Sequence, residues 1–499
     1  MTGRVEVIRV SFRRPATGGA GLLLGLVAAL FFAAPAAAST LNSSGSAIVY
    51  MANTGEVNAL TISRSGDSFV FTDAPGVTIT PTAPCTATGN AGICPAAGIR
   101  ELDANLGDQN DTGTVDASVT GLRFAGTVGG VGNDTLTGGP NVPNELDGDN
   151  ATPAGNDILT GGGKDDFFFG DGGNDTISGG GGDDSIEPGD GDDVADGGPG
   201  FDQLIEGFDP DGADVLNGGP DVDSLTLSFR RADTAVSLDG LANDGAGCPG
   251  AGCEGDNVEP DVENVQTGDG NDVISGSASL NTLDGGNGND TISGGGAYDE
   301  LNGADGNDAL SGGAGNDELD GESGADTMSG GKGDDYAVTA FSDHEQDVIS
   351  GGPGIDSIGV LIEVALPIRI DLDNRADDGF NTPLVSGPRD NIRSDVENLD
   401  GGPGPDVLVG SAAANDLRGG AGNDRLVGGK GGDSLFGDRG ADRLMPGKGR
   451  DTVFGDAGAD VISARDRKPD EVLCGSSMDR VKADRADRAG PDCERVRRR

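Results

Sequence analysis

The sequence predicts an all-β fold of parallel β-roll arrays, each a right-handed β-solenoid, joined to a β-rich N-terminal region. Three observations predict it. A nine-residue unit recurs in fixed phase, mostly with Gly at positions 1, 2 and 4, Asp at position 6 and an aliphatic residue at position 8. Side chains for an ordinary core are scarce, because Gly is 92 of 499 residues, Trp is absent and aromatics are 4%. Large buried side chains dominate the energetics of compact cores, so this chain cannot build many. Asp and Glu total 85 against 33 Lys and Arg, a formal net charge of −52. Self-repulsion on that scale opposes compaction unless cations are bound, and it excludes nucleic acid as a partner.

Taken from the N-terminus, Arg4, Arg9, Arg13 and Arg14 form a basic lead to an apolar run from Ala20 to Phe32, and Ala36-Ala37-Ala38 precede Ser39. That is the pattern of a cleaved signal peptide over 1–38, which places the protein outside the cell, secreted or held at its surface. The run is short for a membrane span, so no span is expected after cleavage; an uncleaved anchor is the alternative. Residues 39–128 carry alternating runs such as NALTI (58–62) and DSFVFTD (67–73), which read as strands. Array 1 covers 129–226, from GGVGNDTLT through GGGKDDFFF, GDGGNDTIS and GGPGFDQLI. A spacer (227–266) leads to array 2 (267–338), and a second spacer (339–400) leads to array 3 (401–463). The spacers are duplicates: SLDG (237–240) parallels DLDN (371–374), and DNVEPDVENV (256–265) parallels DNIRSDVENL (390–399). A tail of interleaved Arg and Asp completes the chain over 464–499. Six cysteines fall into close pairs, Cys85/Cys94, Cys248/Cys253 and Cys474/Cys493, and in an exported chain local disulfides are expected.

The unit explains the fold. Glycine permits the positive φ and close backbone approach of a tight turn. The last three residues are long enough for a short strand with its middle side chain inward, so Ile274, Leu283, Ile292, Leu301, Leu310 and Leu319 form two facing ladders. Turn, strand, turn, strand closes one coil in eighteen residues, and coils stack at roughly 4.8 Å. Units two apart then share an edge: Asp272, Asp290, Asp308 and Asp326 on one, Asp299 and Asp317 on the other. So thin a core cannot offset the entropy of ordering so many glycines. Ca²⁺ supplies the missing term, since it takes six or more hard oxygens from carboxylates and carbonyls, whereas Mg²⁺ keeps its water.

These units resemble the haemolysin-type (RTX) calcium-binding nonapeptide, G-G-x-G-x-D-x-U-x. The wider arrangement is similar to exported multi-array proteins of that type, through the DVEN motifs, LGDQND (106–111) and the C-terminal Cys pair. The resemblance implies multiple Ca²⁺ ions held by Asp134, Asp157, Asp166, Asp175, Asp184, Asp193, Asp202, Asp272, Asp290, Asp299, Asp308, Asp317, Asp326, Asp406, Asp424, Asp433, Asp442, Asp451 and Asp460. Position 6 is Asn281 in one unit and Asn415 in another, so weaker sites are expected at the starts of arrays 2 and 3.

No catalytic motif stands out. There is no H-E-x-x-H, no G-x-S-x-G and no P-loop, and His344 is the one histidine. DLDNRADDG (371–379) fails as an EF-hand loop because Ala376 stands where glycine is required. Arg497, Arg498 and Arg499 read as a solvated tail rather than a site for an anionic surface polymer. The sequence thus points to a non-enzymatic, exported calcium-binding scaffold that folds on binding Ca²⁺. One alternative is a calcium-dependent adhesin or matrix protein that binds a cell-surface component through 39–128. Another is a hydrolase with a carboxylate site in the same region.

Overall fold

The computed structural model describes residues 38–149, 152–207, 210–248, 254–339, 345–360, 366–380 and 389–498. The signal segment (apart from Ala38), His344 and Cys253 lie outside them, and with Cys253 the proposed Cys248/Cys253 pair. The described residues contain strands and no helix. They build a parallel β-solenoid of about 19 turns.

Each strand of an array is the x-U-x end of one unit, and strands two units apart pair in parallel. Leu283 pairs with Leu301 and Leu301 with Leu319 on one face, while Ile274, Ile292, Leu310 and Met328 follow one another on the other. All these side chains are buried. The core is therefore two aliphatic ladders facing each other, one residue deep on each side. Phe168 takes a ladder position among Leu146, Ile186 and Leu204.

The two faces differ in continuity. One is a single long sheet that starts at Ala47–Met51 and passes through Glu101–Asn105, Phe124–Val128 and Asn144–Asp147. It reaches Ser224–Thr226, pairs directly with Asn264–Gln266 across the first spacer, and continues to Arg488–Ala489. The opposite face comes in three blocks. The first ends where Asn257–Val258 pairs with Val215–Asn217. The second starts at Thr234–Ser237 on Val273–Ser275 and ends at Asn391–Ile392. The third runs from Ile368–Asp371 on Val407–Val409 to Arg495–Arg498. Each spacer thus lends an early strand to the block after it, its next-to-last strand to the block before it and its last strand to the long sheet.

Residues 39–128 are continuous with the solenoid. Ala59–Ser65 pairs in parallel with Thr112–Val115, which pairs with Thr135–Thr137. Antiparallel partners fold over the end: Ser39–Ser44 on Ala47–Met51, and Ala59–Ser65 on Ser68–Thr72 on Ala91–Pro95. Tyr50, Phe69 and Phe71 are buried there, and a disulfide joins Cys85 to Cys94. This end supplies the closed hydrophobic cover that a repeat stack needs at its terminus. At the other end a disulfide joins Cys474 to Cys493.

Candidate functional site

The turns between strands carry the aspartates, and their geometry repeats. Asp290 accepts a hydrogen bond on Oδ1 from the backbone N–H of Asp272 at 2.7 Å. Asp308 accepts from Asp290 at 2.8 Å, Asp326 from Asp308 at 2.8 Å and Asp317 from Asp299 at 3.0 Å. The same bond joins Asp157 to Asp134, Asp175 to Asp157, Asp193 to Asp175, Asp184 to Asp166 and Asp202 to Asp184. In the third array it joins Asp424 to Asp406, Asp442 to Asp424, Asp460 to Asp442 and Asp451 to Asp433. Two ladders of carboxylates thus run along the two edges, one rung per coil.

Every position-6 aspartate named above is buried. The second carboxylate oxygen sets the chemistry. Oδ2 of Asp134, Asp157, Asp175, Asp184, Asp193 and Asp202 is buried and accepts no hydrogen bond from any described residue. So it is for Asp272, Asp290, Asp299, Asp308 and Asp317, and for Asp406, Asp424, Asp433, Asp442, Asp451 and Asp460. Asp166 differs, since its Oδ2 accepts from the N–H of Gly162 at 2.7 Å. Buried anionic oxygens without a donor are among the costliest groups a fold can hold.

Backbone carbonyls stand beside these oxygens. A methyl group on Gly288 would lie 1.3 Å from the carbonyl oxygen of Gly270, and one on Gly286 would lie 2.4 Å from that of Gly268. Positions 2 and 4 are glycine because each coil's carbonyls press against the next coil's α-carbons. A methyl group on Gly285 would meet Oδ2 of Asp290 at 2.5 Å, so the unpartnered oxygen lies against its own unit's first residue. Each turn therefore presents carboxylate and carbonyl oxygens together, a hard donor set that suits Ca²⁺.

The two asparagines give the control. Asn281 occupies the rung next to Asp299, and its Nδ2 donates to the carbonyl of Glu263 at 3.1 Å. Asn415 likewise donates to the carbonyl of Glu397 at 3.1 Å. Each follows a coil whose rung is the Glu of a DVEN motif, for Asp223 donates its N–H to Glu263 at 3.0 Å and Asp356 donates to Glu397 at 3.0 Å. Where the residue is Asn, Nδ2 takes the place of Oδ1, and the amide oxygen in the place of Oδ2 accepts a hydrogen bond from the N–H of Ser277 (for Asn281) or Ser411 (for Asn415) at 2.7 Å. Where it is Asp, that place calls for a cation.

Burial acts on the ionisation of the ladder. It pushes the carboxyl of Asp290 from 3.8 to about 7, with the charges of Asp272 and Asp308 adding to the effect. Asp157 and Asp193 are pushed to about 8 by burial, helped by neighbouring carboxylates.

The ladders extend beyond the residues read from the sequence. Asp111, Asp214, Asp223, Asp335, Asp356, Asp470 and Asp479 are buried on rungs of the same kind. Asp335 stands in GGKGDD, a full match in phase with the repeat, whereas Asp356 stands in GGPGID, a full match shifted by three residues, at 21 from Asp335. Asp214 follows a three-residue insertion, at 21 from Asp193, and Asp470 and Asp479 sit where coils lengthen to 19 residues. Fixed-phase counting passes over them.

At the first spacer, one buried guanidinium serves as an internal cation. Arg230 reaches Glu206 and Asp211 at 3.0 Å each, and also pairs with Glu254. Residue 388, which takes the place of Glu254 in the duplicate spacer, is proline.

Comparison with known proteins agrees with this geometry. The family model of the RTX calcium-binding nonapeptide repeat (4 copies) matches residues 128–140, 154–186, 187–205, 266–301, 302–337, 400–435 and 436–466. No curated protein matches the chain.

Proposed function

This chain carries the RTX calcium-binding nonapeptide repeat in multiple copies, and from that premise we propose that it is an exported scaffold which folds into a rigid rod when it meets calcium. The observation that carries the proposal is the row of buried Oδ2 atoms that accept no hydrogen bond, on Asp272, Asp290, Asp308 and the aspartates described with them above. In this reading the aspartates named above, together with the further rungs, hold Ca²⁺ with the glycine carbonyls. The ions neutralise the edges and supply folding free energy in one step. Mutual repulsion keeps the chain open before that.

Export is supported by the basic lead, the apolar run and the small residues before Ser39, and the disulfides suit an oxidising compartment. Residues 39–128 act in this reading as the cap that starts the stack, and the long sheet ties the three blocks into one body. The test is a calcium titration of the mature chain, residues 39–499, followed by far-UV circular dichroism. Strand signal should rise with Ca²⁺ and fall with chelator. A signal indifferent to both would sink the proposal.

A further inference from the structure

The charge of this chain is divided unevenly along its length. Residues 39–400 hold 67 Asp and Glu against 11 Lys and Arg, whereas residues 401–499 hold 17 against 18. Many of those last acids are ladder rungs turned into the core, among them Asp406, Asp424, Asp442 and Asp460. The surface of the third block is therefore far more basic than its sequence total.

The bases are arranged on one face. The strands Val407–Val409, Arg425–Gly431, Arg443–Gly449, Val461–Ala464, Arg480–Ala483 and Arg495–Arg498 contain nine Lys and Arg and no carboxylate. Register aligns them: Arg369, Val407, Arg425, Arg443, Val461, Arg480 and Arg495 follow one another in a single row. Lys430 faces Lys448, and Lys482 faces Arg497. Arg425, Arg443, Arg480 and Arg495 are exposed, and among the described residues none of them forms an ion pair. Beside the row lies a groove of about 750 Å³ whose charged lining is Lys430, Lys448 and Arg465 against the single carboxylate of Asp466.

The fold does not require this. The corresponding row of the second block is Thr291, Ala309 and Thr327, on the same kind of strand. A row of like charges one strand spacing apart repels itself, so something other than folding accounts for it.

We propose that this face binds a linear acidic polysaccharide, a polyuronate, laid along the solenoid axis. Arg369 is paired with Asp371, so the unpaired row runs from Arg425 to Arg495, about 19 Å at the parallel strand spacing, a narrow strip that suits a chain better than a globular partner. Carboxylates repeated along a sugar backbone complement cations repeated along a sheet. The six strands carry no aromatic side chain, so the stacking platform of single-stranded nucleic-acid binders is absent from this face. Arg497 and Arg498 thereby belong to a built surface rather than to a solvated tail. In the scaffold reading this is the end that attaches, and the acidic remainder projects away.

The inference rests on the third block being folded with calcium, and the test keeps the two apart. Binding of fluorescently labelled polyglucuronate oligomers to the mature chain is measured by anisotropy in saturating calcium, beside duplex DNA of equal charge and neutral dextran. The variant R425T/R443T/R480T/R495T sets at four places of the row the threonine that the second block carries at Thr291 and Thr327. It should bind polyglucuronate about tenfold more weakly or worse, four surface ion contacts being removed. Its circular dichroism response to calcium should match the parent. Loss of that response in the parent would refute the folding reading instead. Unchanged affinity in the variant, equal binding of DNA or dextran, or self-association of the parent without polymer binding would each overturn the assignment.

Discussion

Replacing Asp308 with asparagine should change the stability of its coil in opposite directions with and without calcium. Asp308 is buried, with Oδ1 bonded to the N–H of Asp290 and Oδ2 unpartnered. Burial raises its carboxyl from 3.8 to about 6. Because the folded value lies above the unfolded one, the rung is stable while protonated and loses that stability as pH rises through about 6. Ionised at about pH 8 without calcium, it costs the fold about 3 kcal/mol. Asp308→Asn removes that cost and can place its N–H on the carbonyl of Asp290 as Asn281 does on Glu263, with its oxygen facing its own turn as that of Asn281 faces Ser277. The coil should gain up to about 3 kcal/mol in chelator. With calcium the variant lacks an anionic ligand, and a tenfold loss at one site is about 1.4 kcal/mol of destabilisation. Hydrogen exchange of amides over 287–329, in chelator and in saturating calcium, reads both values locally. A variant that destabilises equally in the two conditions would show that Asp308 is only a hydrogen-bond acceptor.

Three further outcomes are expected. Asn281→Asp removes the donor to Glu263 and buries a new charge, so the start of array 2 should lose about 1–3 kcal/mol in chelator and gain an ion in calcium; unchanged stoichiometry by equilibrium dialysis would contradict this. Gly288→Ala sets a methyl group 1.3 Å from the carbonyl of Gly270 at φ 143°, and should cost at least about 3 kcal/mol by urea denaturation in calcium. The same change at Gly402, where nothing lies within 4 Å of the added atom, meets backbone strain alone and should cost less. Arg230→Met strands Glu206, Asp211 and Glu254 without their cation, a loss of about 3–5 kcal/mol at neutral pH. Exchange protection near the first spacer should fall while array 3 keeps its own; equal protection in both proteins would mean that Arg230 carries no such load.

Sequence by itself determined the coil. A period of nine with Gly at 1, 2 and 4 and an aliphatic at 8 allows one closure, so the parallel strands, the facing ladders and the buried side of Ile274 and Leu283 were legible. The sharing of edges by Asp272, Asp290, Asp308 and Asp326 followed from the same period. Such features depend only on local spacing, and local spacing is written in the chain. Tertiary structure decided what depends on neighbours far apart in sequence. Which carboxylate oxygen is bonded and which is left without a donor was set by the stacking of coils, and so was the amide of Asn281 being satisfied by Glu263 and Ser277. The long sheet runs unbroken because Ser224–Thr226 meets Asn264–Gln266 across a spacer of different composition. Asp214 and Asp479 joined the ladders because the rung is kept where a coil lengthens to 21 or 19 residues, a register that backbone pairing enforces and residue counting cannot follow. The row of arginines is likewise a product of stacking: their spacing in sequence is 18, then irregular, and only the sheet brings them into line.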